Sequence, residues 1–168
     1  HADHVTGSWL MKESEDAKIT LSGNYGAVGI DVELKDGMVL AFGNCSITAY
    51  STPGHTDGCF TFVTSERTMA FTGDCLLIRG AGRTDFQSGS AQALYHSITQ
   101  ILFKLPQDTT VWPGHDYKGQ THSSIGDEIK HNVRVAGHTE AQFVAIMNNL
   151  NLPKPRRIDE AVPANLNS

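Results

Sequence analysis

Four short motifs carry residue types able to hold a metal ion. The chain opens HADHVTG, in which His1, Asp3 and His4 form an H-x-D-H run. His55 lies in STPGHTDGC and His115 in VWPGHDYKG, both of the form P-G-H followed by a polar residue. Asp74 follows a short apolar stretch in AFTGDCLL. Imidazole nitrogen and carboxylate oxygen are donors suited to Zn, Fe and Mn. A Gly ahead of each P-G-H imidazole lets the backbone turn sharply and aim the ring into a cleft. Taken singly, a His in a turn is usually a surface residue, and an Asp after a strand is usually a helix cap. The joint order, H-x-D-H, P-G-H, G-D, P-G-H, is a far stronger signal than any one member. The opening run matches the last part of an H-x-H-x-D-H pattern whose first His would fall ahead of residue 1. His96, His122, His131 and His138 lack such settings and read as surface or helix residues.

The elements that must position these residues follow from hydrophobic periodicity. Residues 18–72 read as strands with tight turns: 39–42, 46–50 (alternating around Ile47 and Ala49), 60–63, and the short apolar 69–72. Turn signals are KDG at 35–37 and GN at 43–44. After Gly89 the period becomes helical, with Leu94, Ile98, Ile101, Leu102 and Leu105 before a stop at Pro106. Residues 109–112 read as another strand. A second helix begins at a capping box formed by Thr139 and Gln142, shows Phe143, Ile146, Met147 and Leu150 on one face, and is closed by Pro153. The tail NLNLPKPRRIDEAVPANLNS, rich in Pro and Asn, is expected to pack as an extended segment. Strands first, then strand and helix in alternation, predict an α/β fold with helices covering a sheet.

Composition bounds the function classes. The chain has 168 residues, 39% hydrophobic and 18% charged, which suits one domain with one core. The formal charge is −5 and there is no basic run, so nucleic acid is not an expected partner. No stretch approaches the roughly 18 consecutive apolar residues of a membrane span, so a membrane is not expected either. Cys45, Cys59 and Cys75 are odd in number and match no zinc-knuckle spacing. A reducing compartment is expected, with all three thiols acting as small buried hydrophobes.

The motif order resembles that of the metallo-β-lactamase superfamily. TPGHTDGC, AFTGDCLLIRGAGRTDFQSG, PGHDYKG and IMNNLNLPKPRRIDEAVPAN look like those of its persulfide dioxygenases, and the likeness extends from His1 to Asn165. The long GD…LLIRG…GRTDFQ stretch and the NLPKP…AVPAN tail are specific to that branch. Glyoxalase II hydrolases share only the metal motifs. The resemblance implies a single metallo-β-lactamase domain over residues 1–168, an αββα sandwich with most of its first half outside this chain. Its metal ligands lie on loops at one edge of the packed sheets.

The resemblance also implies a mononuclear Fe(II), with Zn as the alternative, held by two His and one Asp. His55 matches the second His ligand and Asp74 the carboxylate. The first His ligand falls upstream of residue 1. His1, Asp3, His4 and His115 match positions that hold a second metal in the hydrolases and that orient ligands and water in the iron enzymes. His115 and Tyr117 are the catalytic candidates. Arg83 and Tyr117 match positions facing the glutathione moiety and the iron, although Arg83 has a structural alternative in an ion pair with Asp85, and Tyr117 in plain aromatic packing. The implied reaction is oxidation of glutathione persulfide by O₂ to sulfite and glutathione. The implied setting is the bacterial cytoplasm or the mitochondrial matrix, and a homo-oligomer is compatible with it.

Two departures qualify the likeness. Ala81 stands where the family usually has Cys, which is expected to remove a thiol near the substrate path. The half that precedes the H-x-H-x-D-H loop in a complete member is absent together with the loop's first His, which fits a fragment, a site completed by a second chain, or an inactive homologue. The preserved spacing of every later motif favours the fragment. The rival readings are a glyoxalase II-like thioester hydrolase with a dinuclear site and a metal-free, non-catalytic module.

Overall fold

The computed structural model describes residues 2–167. They form two compact units, one comprising the residues up to Leu34 with those from Asn151 onward, the other Lys35–Leu150.

The first unit holds helix α1 (Ser8–Glu15) and strands β1 (Thr20–Ser22) and β2 (Val32–Leu34), which pair in parallel. Asp31 ties its loops: its carboxylate accepts from Lys12 Nζ at 2.7 Å and from the Ile19 amide at 2.8 Å. The chain's final helix, α5 (Ile158–Leu166), completes this unit and corrects the expectation of an extended tail. Ile158, Ala161, Val162 and Leu166 recur at helical spacing, and Asp159 and Glu160 in the first turn favour the positive end of the helix dipole. Ahead of it, residues 150–155 keep an irregular course. Asn165 in α5 grips the opening segment, accepting from the Thr6 amide and donating to the His4 carbonyl.

The second unit is built on a six-stranded sheet: β3 (Met38–Phe42), β4 (Cys45–Ser51), β5 (Phe60–Thr64), β6 (Met69–Gly73), β7 (Thr110–Pro113) and β8 (Ser123–Ser124), neighbours in that order. All pairs are antiparallel except β6 with β7, which is parallel. A parallel pair cannot be closed by a hairpin, so the chain between β6 and β7 must cross over the sheet. That crossover contains α2 (Ala91–His96), which runs on through a wide π turn at Ser97–Ile101 and a 3₁₀ turn at Leu102–Lys104. The helical period read for this stretch is thus present, with its pitch changing midway. Helices α3 (Ile125–His131) and α4 (Glu140–Asn148) follow, and α4 carries the expected Thr139–Gln142 capping box.

One register row crosses the whole sheet: Val39, Thr48, Val63, Ala70, Val111, Ser123. From Val63 onward this row is buried, packed with Leu94, Ile98, Leu102, Ile125 and Phe143 of the helices. The neighbouring row, Met38, Ala49, Phe62, Phe71, Trp112, points to the opposite face, where Phe71 and Trp112 remain exposed.

Two smaller expectations are corrected. Of the cysteines, Cys75 is buried and Cys59 half-buried, but Cys45 is exposed, because it begins β4 directly after the two-residue Gly43–Asn44 turn. Of the four non-motif histidines, His96 and His131 end helices and His122 lies in a surface loop. His138 instead is half-buried in the loop before α4, its carbonyl accepting from Tyr95 Oη. Among the described residues no helix is long and apolar enough to cross a membrane.

Candidate metal centre

The topology decides which motif residues meet. Strand β4 is antiparallel to β5, which is antiparallel to β6, so β4 and β6 run the same way, and β7 runs with them. The loops leaving the carboxyl ends of these three strands therefore open at one edge of the sheet. His55 follows β4, Asp74 follows β6 and His115 follows β7. Ligand sites in open sheets commonly form outside the carboxyl ends of strands.

Asp74 is the hub. Its carboxylate is buried, with Oδ1 accepting from His115 Nδ1 at 2.6 Å and Oδ2 facing His55 Nε2 at 3.5 Å. His55 Nδ1 donates to the Arg83 carbonyl at 2.7 Å. That bond places the His55 proton on Nδ1 and leaves Nε2 with its lone pair. Two electron-pair donors, His55 Nε2 and Asp74 Oδ2, thus face each other inside a half-buried cleft. Such a pair is the donor set a cation fits, and a carbonyl partner on the far ring nitrogen is the usual way a ligating His is oriented.

The loops are close-packed around this point. Gly54 takes φ +138°, a conformation L-residues avoid, and a Cβ there would lie 2.3 Å from the Leu94 backbone. Helix α2 anchors the same loop: Ser97 Oγ donates to the Pro53 carbonyl at 2.7 Å and the Ser90 amide to the Gly54 carbonyl at 2.8 Å. Ser97 sits in the π turn, whose extra residue redirects the helix surface toward the loop. At Gly114 the demand is space rather than conformation, since a Cβ would meet Asp74 Oδ1 at 2.9 Å.

The remaining candidates lie as follows. Arg83 is engaged with Asp85 in a bidentate pair, Nε to Oδ1 at 2.6 Å and Nη2 to Oδ2 at 2.7 Å, and its guanidinium stands 4.6 Å over the Phe86 ring. The hydrogen bond from Arg83 holds the Asp85 carboxyl below its usual range. The structural alternative for Arg83 is therefore realised, beside its main-chain role to His55. Tyr117 is 81% exposed and stacks on the His115 ring, centroids 5.9 Å apart and nearly parallel. It is not packed into the core. Asp3 and His4 belong to the first unit, where Asp3 Oδ1 lies 2.8 Å from His4 Nδ1. His1 lies outside the described residues. Ala81 is buried in the core cluster. Among the described residues no three or more His, Cys, Asp or Glu gather into a group that could hold a metal ion by themselves.

Sequence reasoning missed the polar scaffold behind the site. Glu128, fully buried in α3, binds both the backbone and the side chain of Arg79. The available signal was spacing: Ile125, Glu128, Ile129 and Asn132 share one face of α3, so an acid and an amide fall on its apolar side.

Comparison with known proteins places this geometry in a family. Residues 1–115 match the metallo-beta-lactamase superfamily. The chain is 47% identical over 166 residues to the human protein named persulfide dioxygenase ETHE1, mitochondrial, covering 99% of this chain and 65% of that protein. The chain thus spans less than two thirds of the length of such curated relatives. The crystal structure of ETHE1 from Myxococcus xanthus matches with a TM-score of 0.94 at 48% identity, over 98% of this chain and 72% of that one. The crystal structure of TTHA1623 in a di-iron-bound form matches with a TM-score of 0.64 at 28% identity, over 79% of this chain and 73% of that one. Superfamily membership implies a metal-binding centre, and the β4, β6 and β7 loop ends are where this chain assembles the matching motifs. The chain belongs to the metallo-beta-lactamase superfamily, on the branch that carries the ETHE1 proteins.

Proposed function

We propose that the complete protein carrying this chain oxidises glutathione persulfide with O₂ at a mononuclear iron centre held in part by His55 and Asp74. The overall change is GSSH + O₂ + H₂O to GSH, sulfite and two protons. The outer sulfur gives up four electrons and O₂ accepts them. The name of the human relative and the likeness across 99% of this chain support the activity. The di-iron form of TTHA1623 supports iron as the metal. An Fe(II) held there would supply redox electrons and open coordination positions for sulfur and O₂.

The chain's own residues do the rest. The Arg83 carbonyl holds the His55 ring in the orientation that turns Nε2 toward Asp74. His115 Nδ1 bonds Asp74 Oδ1, and Oδ2 faces His55 Nε2. Tyr117, stacked on His115 and 81% exposed, would cover an arriving persulfide. Arg83 would receive a glutathione carboxylate by exchanging it for Asp85. The chemistry suits a reducing compartment, cytoplasm or mitochondrial matrix, and the human relative is named as mitochondrial.

The test is O₂ uptake by the complete natural protein, loaded anaerobically with Fe(II) and supplied with glutathione persulfide. One O₂ consumed per sulfite formed is the expected result. A fully iron-loaded protein that consumes no O₂ but cleaves a glutathione thioester contradicts the reading in favour of a hydrolase.

A further inference from the structure

Behind the centre lies a buried polar clamp that the proposed reaction does not use. The loop at 79–83, RGAGR, leaves its first residue in a left-handed conformation: Arg79 has φ +59°, rare for a residue with a Cβ. Such a conformation persists only where the surroundings over-determine it. Glu128, with no solvent exposure, supplies that constraint. Its Oε2 accepts from the Arg79 amide at 2.9 Å and from Asn132 Nδ2 at 2.8 Å. Its Oε1 accepts from Arg79 Nη1 at 2.5 Å and from Ser123 Oγ at 2.6 Å. Both oxygens are thus taken twice, which is what a buried carboxylate needs to remain favourable.

The same clamp holds the next two residues. Asn132 Nδ2 also donates to the Gly80 carbonyl at 2.9 Å, and Arg134 Nη1 donates to the Ala81 carbonyl. The far end of the loop then meets the centre directly. The Gly82 amide donates to the Asp74 carbonyl at 2.8 Å, and the Arg83 carbonyl receives His55 Nδ1 at 2.7 Å. Helix α3 and the turn after it therefore fix one end of a five-residue loop whose other end orients one candidate ligand and ties down the main chain of the other.

We propose that Glu128 is a positioning residue for the metal centre: by clamping Arg79 and, through Asn132, Gly80, it sets the Arg83 carbonyl that aims His55 Nε2 at Asp74. This rests on the proposed metal site. A buried carboxylate that merely stabilised the fold would lower the melting temperature when altered but leave metal affinity and ligand geometry alone. A clamp that aims His55 must move both, because partners of a ligating His are worth 10- to 100-fold in affinity.

The test titrates Co(II) into the complete natural protein and follows the visible d–d bands. Wild type, Glu128→Gln, Asn132→Ala and Thr139→Ala are compared, with melting temperatures for each. Thr139 caps α4 through hydrogen bonds with Gln142 and makes none to the clamp residues, so it controls for general loss of stability. Glu128→Gln keeps the volume but presents an amide N–H₂ to groups that are all donors. Its Co(II) affinity should fall at least tenfold with shifted bands, Asn132→Ala should fall about three- to tenfold, and Thr139→Ala should match wild type. If Glu128→Gln fails to fold, Asn132→Ala decides the matter alone. Wild-type affinity and spectrum in whichever of these two variants folds, or an equal loss in Thr139→Ala, overturns the proposal. Wild type that binds no Co(II) at all overturns the metal centre and this inference with it.

Discussion

At the scale of single residues, the account turns on who holds which proton. His55 Nδ1 bonds a carbonyl, an acceptor that cannot give a proton back, so Nε2 is left as a donor of electrons. Asp74 divides its two oxygens between His115 and the space shared with His55. The P-G-H and G-D motifs announced these side chains in the sequence. The carbonyl of Arg83 could not be read there, because backbone acceptors carry no residue signature. Arg83 itself leads to a prediction about substrate binding. In the structure its guanidinium is satisfied by Asp85, which a substrate carboxylate must displace. Arg83→Ala should raise KM for glutathione persulfide by about 10- to 100-fold, the scale of a lost charged hydrogen bond. Asp85→Asn should lower KM several-fold with kcat unchanged. The hydrogen bond from Arg83 depresses the Asp85 carboxyl, so Asp85 stays ionised and in competition throughout the neutral range. The competition lapses only as the pH falls through that lowered value. A KM that rises in Asp85→Asn contradicts the exchange.

At the scale of elements, β3 to β7, α2 and α4 were legible because their apolar periods are clean and the α4 capping box is a local chemical signal, whereas the two-serine β8 carries no such period. The π turn at Ser97–Ile101 was not, since one extra residue in a helix barely disturbs an apolar repeat, yet it carries the Ser97 hydroxyl to the His55 loop. The helix in the tail was hidden by Pro163, which lies inside α5 although it has no amide to donate. The loop at 79–83 makes the sharpest prediction. A Cβ on Gly82 would sit 2.3 Å from the Asp74 carbonyl and 2.9 Å from His55 Nδ1, with backbone and ring on either side and no flexible end to yield. Gly82→Ala should cost about 1–3 kcal/mol of stability, the range for overpacking, and weaken metal binding as His55 is pushed aside. Thermal melts and a metal titration check it. A variant that melts and binds like wild type contradicts the close packing described.

At the scale of the whole molecule, three strands running in one direction deliver three motif loops to one edge, and this is the feature from which the function follows. Residue order in the sequence predicted the ligand candidates. The pairing of β6 with β7 in parallel is what brings Asp74 to His115, and it depends on a crossover whose partners are some forty positions apart. Such pairings are set by packing of the β6 and β7 rows against α2 and α4, which local patterns do not encode. The first unit was the least legible, its short β1–β2 pair and α1 having weak apolar faces of their own. The central claim is that His55 and Asp74 bind one iron and leave it open to exogenous ligands. It is tested most directly by electron paramagnetic resonance of the complete natural protein, loaded with Fe(II) under argon and exposed to nitric oxide, with iron counted per chain. The account predicts about one iron per chain and the spin-3/2 signal of a nitrosyl on a single iron, lost in His55→Ala and in Asp74→Ala. Two coupled irons per chain, or a signal that survives both substitutions, would contradict it.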